Sequence, residues 1–201
     1  MNSSLERRVR SYLGFKGMES DPTTEKVIAE CLAEVKEAGQ FRYFYRIFDE
    51  LPDFLRADPY AGFLSGCNKV ILSITTLGAE VDRRVKVLSR TDLVKSLVFD
   101  ACASAYLEEL ADDFEKGLGD DLTYRFCPGY GGSQMSDIRH IFTLVRPEKS
   151  GVTLTEEGYM LPLKSMAGII GVGKKMHKNC GNCMMHSHCE YLKEGVTCWT
   201  E

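Results

Sequence analysis

The chain has 201 residues, 44% of them hydrophobic and 27% charged, with a net charge of −4. That balance excludes a disordered or fibrous chain and suits one folded domain with a short appendage. The slight acidity gives no basic field for nucleic acid, and no apolar run approaches a bilayer span, so neither nucleic acid nor membrane is expected as a partner.

Met1 to Arg10 is polar and charged, without the apolar stretch of an export signal, so a cytoplasmic protein is expected. Gly17 to Asp21 reads as a loop, and Asp21-Pro22 offers an N-cap and a first-turn proline. Val27, Ile28, Cys31, Leu32 and Val35 follow at helical spacing up to about Gly39. Phe41 to Phe48 is rich in aromatic residues and reads as a strand; Asp49 to Pro59 is a polar connection. Lys69 to Thr75 reads as a buried strand, Thr76-Leu77-Gly78 as a turn, and Ala79 to Leu88 as a helix. Thr91 is the expected cap of a long helix reaching about Gly117, with the small residues of Ala101 to Ala105 inviting close packing. Leu122 to Phe126 reads as a strand, Pro128 to Gly132 as a loop, and Ser136 as the cap of a helix through Val145. Gly151 to Thr155, Tyr159 to Leu163 and Met166 to Val172 read as strands. Helices and strands mix without a regular alternation, so the expected class is α+β, a mixed or antiparallel sheet packed with helices. From Lys174 onward the chain is basic and then Cys/His-rich, which sets the expected division at residues 1–173 and 174–201.

Two stretches carry chemistry. Arg125-Phe126-Cys127-Pro128-Gly129-Tyr130-Gly131-Gly132 runs from a strand into a glycine-rich loop. An arginine can grip a carboxylate at two points, glycines admit a ligand close to the backbone, and a tyrosine can stack on a ring. A tight turn with a surface arginine is the plainer reading of the same residues. The second stretch holds Cys180, Cys183, Cys189 and Cys198, with His177, His186 and His188 among them. Four thiolates suit zinc or an iron–sulfur cluster, and the spacing leaves both open beside a metal-free tail.

Arg125-x-x-Pro128-Gly129-Tyr130 is similar to the S-adenosylmethionine-binding motif of the activation (reactivation) domain of cobalamin-dependent methionine synthase. Thr75 to Arg84 and Phe99 to Ala105 resemble signatures of small stand-alone relatives of that domain in anaerobic bacteria. Gly151 to Glu156 and Met160-Leu161-Pro162 resemble the strand pair that follows, so the resemblance spans roughly residues 5 to 173 in the family's order. It implies that Glu108, Arg125, Gly129 and Tyr130 bind S-adenosylmethionine. It also implies a component of methionine synthase, in methionine biosynthesis, that supports reductive methylation of a corrinoid. The histidine that follows the loop in the full-length enzymes has no equivalent; Gln134, Met135 and Ser136 stand there, and Ile170 and Gly171 replace a late aromatic pair.

No Asp-x-His-x-x-Gly loop is present, so cobalamin is expected on a partner, a corrinoid-binding methionine synthase subunit, with a flavodoxin or ferredoxin-type protein as electron donor. The rival readings are a non-catalytic S-adenosylmethionine-binding regulatory protein, an activator of another corrinoid methyltransferase, and an electron-transfer protein centred on the Cys-rich tail.

Overall fold

The structure is a computed structural model that describes residues 4–15, 21–177, 179–182, 186–195 and 197. Its first element, helix α1 (Ser4–Tyr12), is not among those expected above. Leu5 and Val9, one turn apart, are buried, and Tyr12 and Leu13 continue the same helical spacing. Helix α2 (Pro22–Ala38) begins as expected: the Asp21 carboxylate accepts from Thr23 N at 2.9 Å and from Thr24 N at 3.1 Å. Strand β1 (Arg42–Phe48), the short helix α3 (Tyr60–Phe63), strand β2 (Lys69–Thr76) and helix α4 (Ala79–Thr91) follow. Thr91 does not cap the next helix. It ends α4, with its hydroxyl donating to Val87 O at 3.2 Å. Asp92, in extended backbone, caps the long helix α5 (Leu93–Lys116) by accepting from Lys95 N at 2.9 Å.

Ser136 likewise lies inside a 3-10 turn, Met135–Asp137, that leads into helix α6 (Ile138–Val145); the Asp137 carboxylate accepts from Gln134 N at 3.3 Å. The expected strands 151–155 and 159–163 shrink to β3 (Thr153–Leu154) and β4 (Met160–Leu161), paired with each other. Strand β5 (Ser165–Val172) completes the main sheet, whose order is β1-β2-β5 with both pairings antiparallel. The tail adds two 3-10 turns, Cys180–Asn182 and His186–His188, and the short helix α7 (Glu190–Lys193). Among the described residues no helix is long and apolar enough to cross a membrane.

Two apolar cores build the α+β arrangement, an antiparallel sheet packed with helices. On one side Val70, Leu72, Ile74, Ala167 and Ile169 of the sheet meet Ile138, Ile141 and Phe142 of α6, together with Tyr60, Phe63 and Phe126. A second core joins α1, α2, α4 and α5, with Leu5, Val9, Ile28, Cys31, Val81, Phe99 and Cys102 among its members. The small residues of α5 permit the close approach: Cys102 Sγ donates to Ile28 O at 3.8 Å across to α2.

The stretch 122–126 is not a regular strand. It touches β5 at two isolated bridges, Leu122 to Val172 and Phe126 to Ile169. Four residue steps on one side oppose three on the other, so one residue is surplus and the ladder breaks, as at a bulge. Tyr124 and Phe126 still join the α6-side core, and Arg125 between them faces α5. Past residue 173 the chain remains in contact with the fold: Met176 N donates to Leu122 O at 3.0 Å, and Lys174 Nζ donates to Ser65 O at 2.9 Å.

Candidate functional site

Glu108, Asp112 and Glu115 lie four and then three residues apart on α5, so all three carboxylates share one helix face. Two arginines from distant elements interleave with them. Arg125 Nη1 donates to Glu115 Oε1 at 2.5 Å and Nη2 to Asp112 Oδ1 at 2.8 Å. Arg8, on α1, donates from Nη2 to Asp112 Oδ2 at 2.9 Å and from Nη1 to Glu108 Oε2 at 3.5 Å. Tyr43 of β1 donates to Glu115 Oε1 at 2.7 Å, and Tyr12 at the end of α1 donates to Glu108 Oε1. Three carboxylates against two guanidinium groups leave this patch with one surplus negative charge.

Arg125 therefore does not present an open fork. Its side chain is 8% exposed, both terminal nitrogens are engaged by α5, and its buried Nε has no hydrogen-bond partner. Its position depends on Gly168 of β5. A Cβ there would stand 2.6 Å from Arg125 Cδ and 2.7 Å from Cγ, so the arginine crosses the strand over a residue without a side chain. Burial holds the Glu115 carboxyl above its usual range, while Arg125 and Tyr43 pull it back down. Partial burial and then the Glu108 charge push the Tyr12 hydroxyl up, which keeps it a donor.

The loop after Arg125 closes on itself. Gly129 N donates to Ser133 Oγ at 2.9 Å, and Ser133 Oγ donates to Tyr130 O at 2.7 Å. Gly129 has φ +94°, in the region that favours glycine, and a Cβ on it would meet Met135 Cε at 3.0 Å. Tyr130 is 64% exposed, yet Glu108 and Cys127 both act on its hydroxyl, after burial, to push it up. Cys127, between Arg125 and the loop, is pushed up to about 11 by burial, against the pull of Arg125. The structure thus brings Glu108, Arg125, Gly129 and Tyr130 into one region of the surface. It adds Arg8, Tyr12, Tyr43, Asp112 and Glu115. The α5 carboxylates were readable as one face from their spacing; the partners from α1 and β1 carry no local signal.

Of the four tail cysteines, Cys180 and Cys189 are described and are free thiols; Cys183 and Cys198 lie outside the described residues. His186 Nδ1 lies 2.6 Å from Cys180 O. Among the described residues no group of three or more His, Cys, Asp or Glu side chains is placed to hold a metal ion. Helix α7 reaches back to α1: Ser11 Oγ donates to the Tyr191 hydroxyl at 3.1 Å, and that hydroxyl donates to Ser11 O at 2.9 Å.

Among solved structures the chain is similar to the crystal structure of a MetH reactivation domain bound to AdoHcy, with a TM-score of 0.55 and 13% identity over 98% of this chain and 86% of that one. The fold is a reactivation-domain fold. No protein-family model and no curated protein matches the chain. Within this reactivation-domain fold, the Gly129–Tyr130 loop lies near Glu108 of α5, and the tail meets α1 at Ser11, next to Tyr12.

Proposed function

We propose that this chain binds S-adenosylmethionine and acts as the activation component of a cobalamin-dependent methionine synthase, serving reductive methylation of a corrinoid carried by a partner protein. The observation that carries the reading is the fold shared with a reactivation domain bound to AdoHcy, the demethylated form of S-adenosylmethionine. Charge supports it independently. S-adenosylmethionine carries a sulfonium, an ammonium and a carboxylate, one net positive charge, and the patch around Glu108 has one negative charge in surplus. Exposed tyrosine rings beside a carboxylate suit a cation.

In this reading Glu108 and the rings of Tyr12 and Tyr130 take the cationic part of the ligand. Gly129 lets the backbone approach it. Arg125 fixes Asp112 and Glu115 behind the site, and Arg8, at the rim, faces the ligand carboxylate. Holding the donor methyl in line with an acceptor is what a protein contributes to such a transfer. A partner's corrinoid would supply the acceptor, with a flavodoxin or ferredoxin-type protein as the source of the electron.

Calorimetric titration tests the reading. S-adenosylmethionine should bind the intact chain, and Glu108→Gln should weaken binding by about 1.5–3 kcal/mol, the range for a hydrogen bond to a charged group. Absence of heat with the intact chain, or equal affinity in Glu108→Gln, would reject it.

The tail is part of the proposal through its donor set alone. Cys180, Cys183, Cys189 and Cys198 are four soft ligands, which fit zinc or an iron–sulfur cluster and not a hard cation. Zinc would brace the tail; a cluster would add redox chemistry. Protein purified without oxygen should carry zinc or iron, lost in Cys180→Ser combined with Cys183→Ser. Metal-free protein with all four thiols open to alkylation would leave the tail without a metal role.

A further inference from the structure

Two adjacent residues of α1, Ser11 and Tyr12, bond to the tail and to Glu108 respectively. Tyr191 on α7 both accepts from and donates to Ser11, through one hydroxyl that has the proton and lone pairs for both. The next residue, Tyr12, donates to Glu108, and Arg8, one turn earlier, reaches Glu108 and Asp112. The end of α1 is therefore held by the tail through Ser11 and by the α5 carboxylates through Tyr12 and Arg8, beside the Arg10–Glu25 ion pair and the backbone bonds from Leu13 N to Val9 O and Phe15 N to Arg10 O. The helix has nine residues, and its buried positions are Leu5, Val9 and Arg10, so none of the last two residues is anchored by burial. Helix ends of this kind open readily unless side chains pin them.

We propose that Tyr191 is a positioning residue for the ligand site: by fixing Ser11 it holds the Tyr12 ring in place beside Glu108, and it couples the Cys-rich tail to ligand occupancy. Tyr12 is thereby a binding residue contributed by α1, close enough to Tyr130 for their hydroxyls to act on each other. The inference rests on the reading of this site as one for S-adenosylmethionine. Coupling is reciprocal: a ligand that needs Tyr12 in place strengthens the Tyr191–Ser11 contact by the same factor by which that contact strengthens the ligand.

The test uses the full chain and the variant Tyr191→Phe, which keeps the ring and removes the hydroxyl. S-adenosylmethionine should bind Tyr191→Phe about three- to tenfold more weakly, the range one neutral hydrogen bond spans. Ser11→Ala, which keeps the backbone acceptor, should show a smaller loss of the same kind. In a Tyr12→Phe background, Tyr191→Phe should add little, because the effect passes through Tyr12. Amide hydrogen exchange of residues 9–15 should be faster in ligand-free Tyr191→Phe than in the unaltered chain. Equal affinity of Tyr191→Phe and the unaltered chain would overturn the proposal, as would full additivity with Tyr12→Phe. If the unaltered chain itself fails to bind S-adenosylmethionine, the reading of the site falls, and exchange decides the tether alone: unchanged exchange overturns it, faster exchange upholds it.

Discussion

Arg125 answers to its surroundings more than to its place in a motif. Replacing it with alanine leaves the nearly buried Glu115 without its cation and removes one of two arginines from Asp112. Loss of one partner of a buried pair costs about 3 kcal/mol or more, and Arg125→Lys should restore only part, since an ammonium cannot span both carboxylates. The penalty should depend on pH. The folded value of Glu115 already lies above its ordinary 4.5, and without Arg125 it rises further. A raised folded value gives stability that is present below the unfolded value and lost as pH rises through the folded one. The variant should therefore lie nearest the unaltered chain at acid pH and fall away as pH rises above 4.5, read from urea melts at several pH values. Through its family resemblance the sequence assigned Glu108, Arg125, Gly129 and Tyr130 to one ligand site, an assignment that the binding titrations decide. The sequence could not show that Arg125 is already engaged, because its partners lie on a helix ten and more residues upstream that only the tertiary fold brings alongside.

At the scale of elements, β5 is shaped to let the arginine across. Gly168→Ala places a methyl group 2.6 Å from Arg125 Cδ and 2.8 Å from Ser73 Oγ, neither of which can retreat freely. The variant should lose about 1–3 kcal/mol of stability, the range for overpacking, and should bind S-adenosylmethionine less well because Arg125 is displaced. A thermal melt and a titration of the same preparation check both. Elements with sustained apolar spacing, α2, β2 and α5, were legible within a residue or two. Helix α1 carries the same kind of signal in Leu5, Val9, Tyr12 and Leu13, four, three and one residues apart, but the charged residues between them make the stretch look merely polar. The stretch 122–126 has strand-like composition, but a surplus residue breaks its pairing, and register is a property of two strands and not of one.

For the molecule as a whole, the buried core runs from Leu5 to Ile170, so a chain ending at Gly173 should still melt cooperatively. It should do so at a lower temperature, because Met176 and Tyr191 no longer contact the fold, and circular dichroism would show it. Burial also sets the alkaline limit. Cys31 is pushed up to about 11 and Cys102 to about 12, from an ordinary 9.0. Unfolded thiols release their protons first, so the stabilising contribution is complete below pH 9.0 and is lost as pH rises through the folded values. Urea midpoints should fall steeply across that window, and less steeply when both cysteines are replaced by alanine. The order of strands has a consequence for biosynthesis. The middle strand of the sheet, residues 69–76, pairs on one side with its predecessor and on the other with residues 165–172. A nascent chain on the ribosome must carry that strand with one bare edge while the intervening helices emerge. Until residue 172 is free to pair, the growing polypeptide offers a ready template for aggregation, and this is the interval in which a chaperone has something to shield.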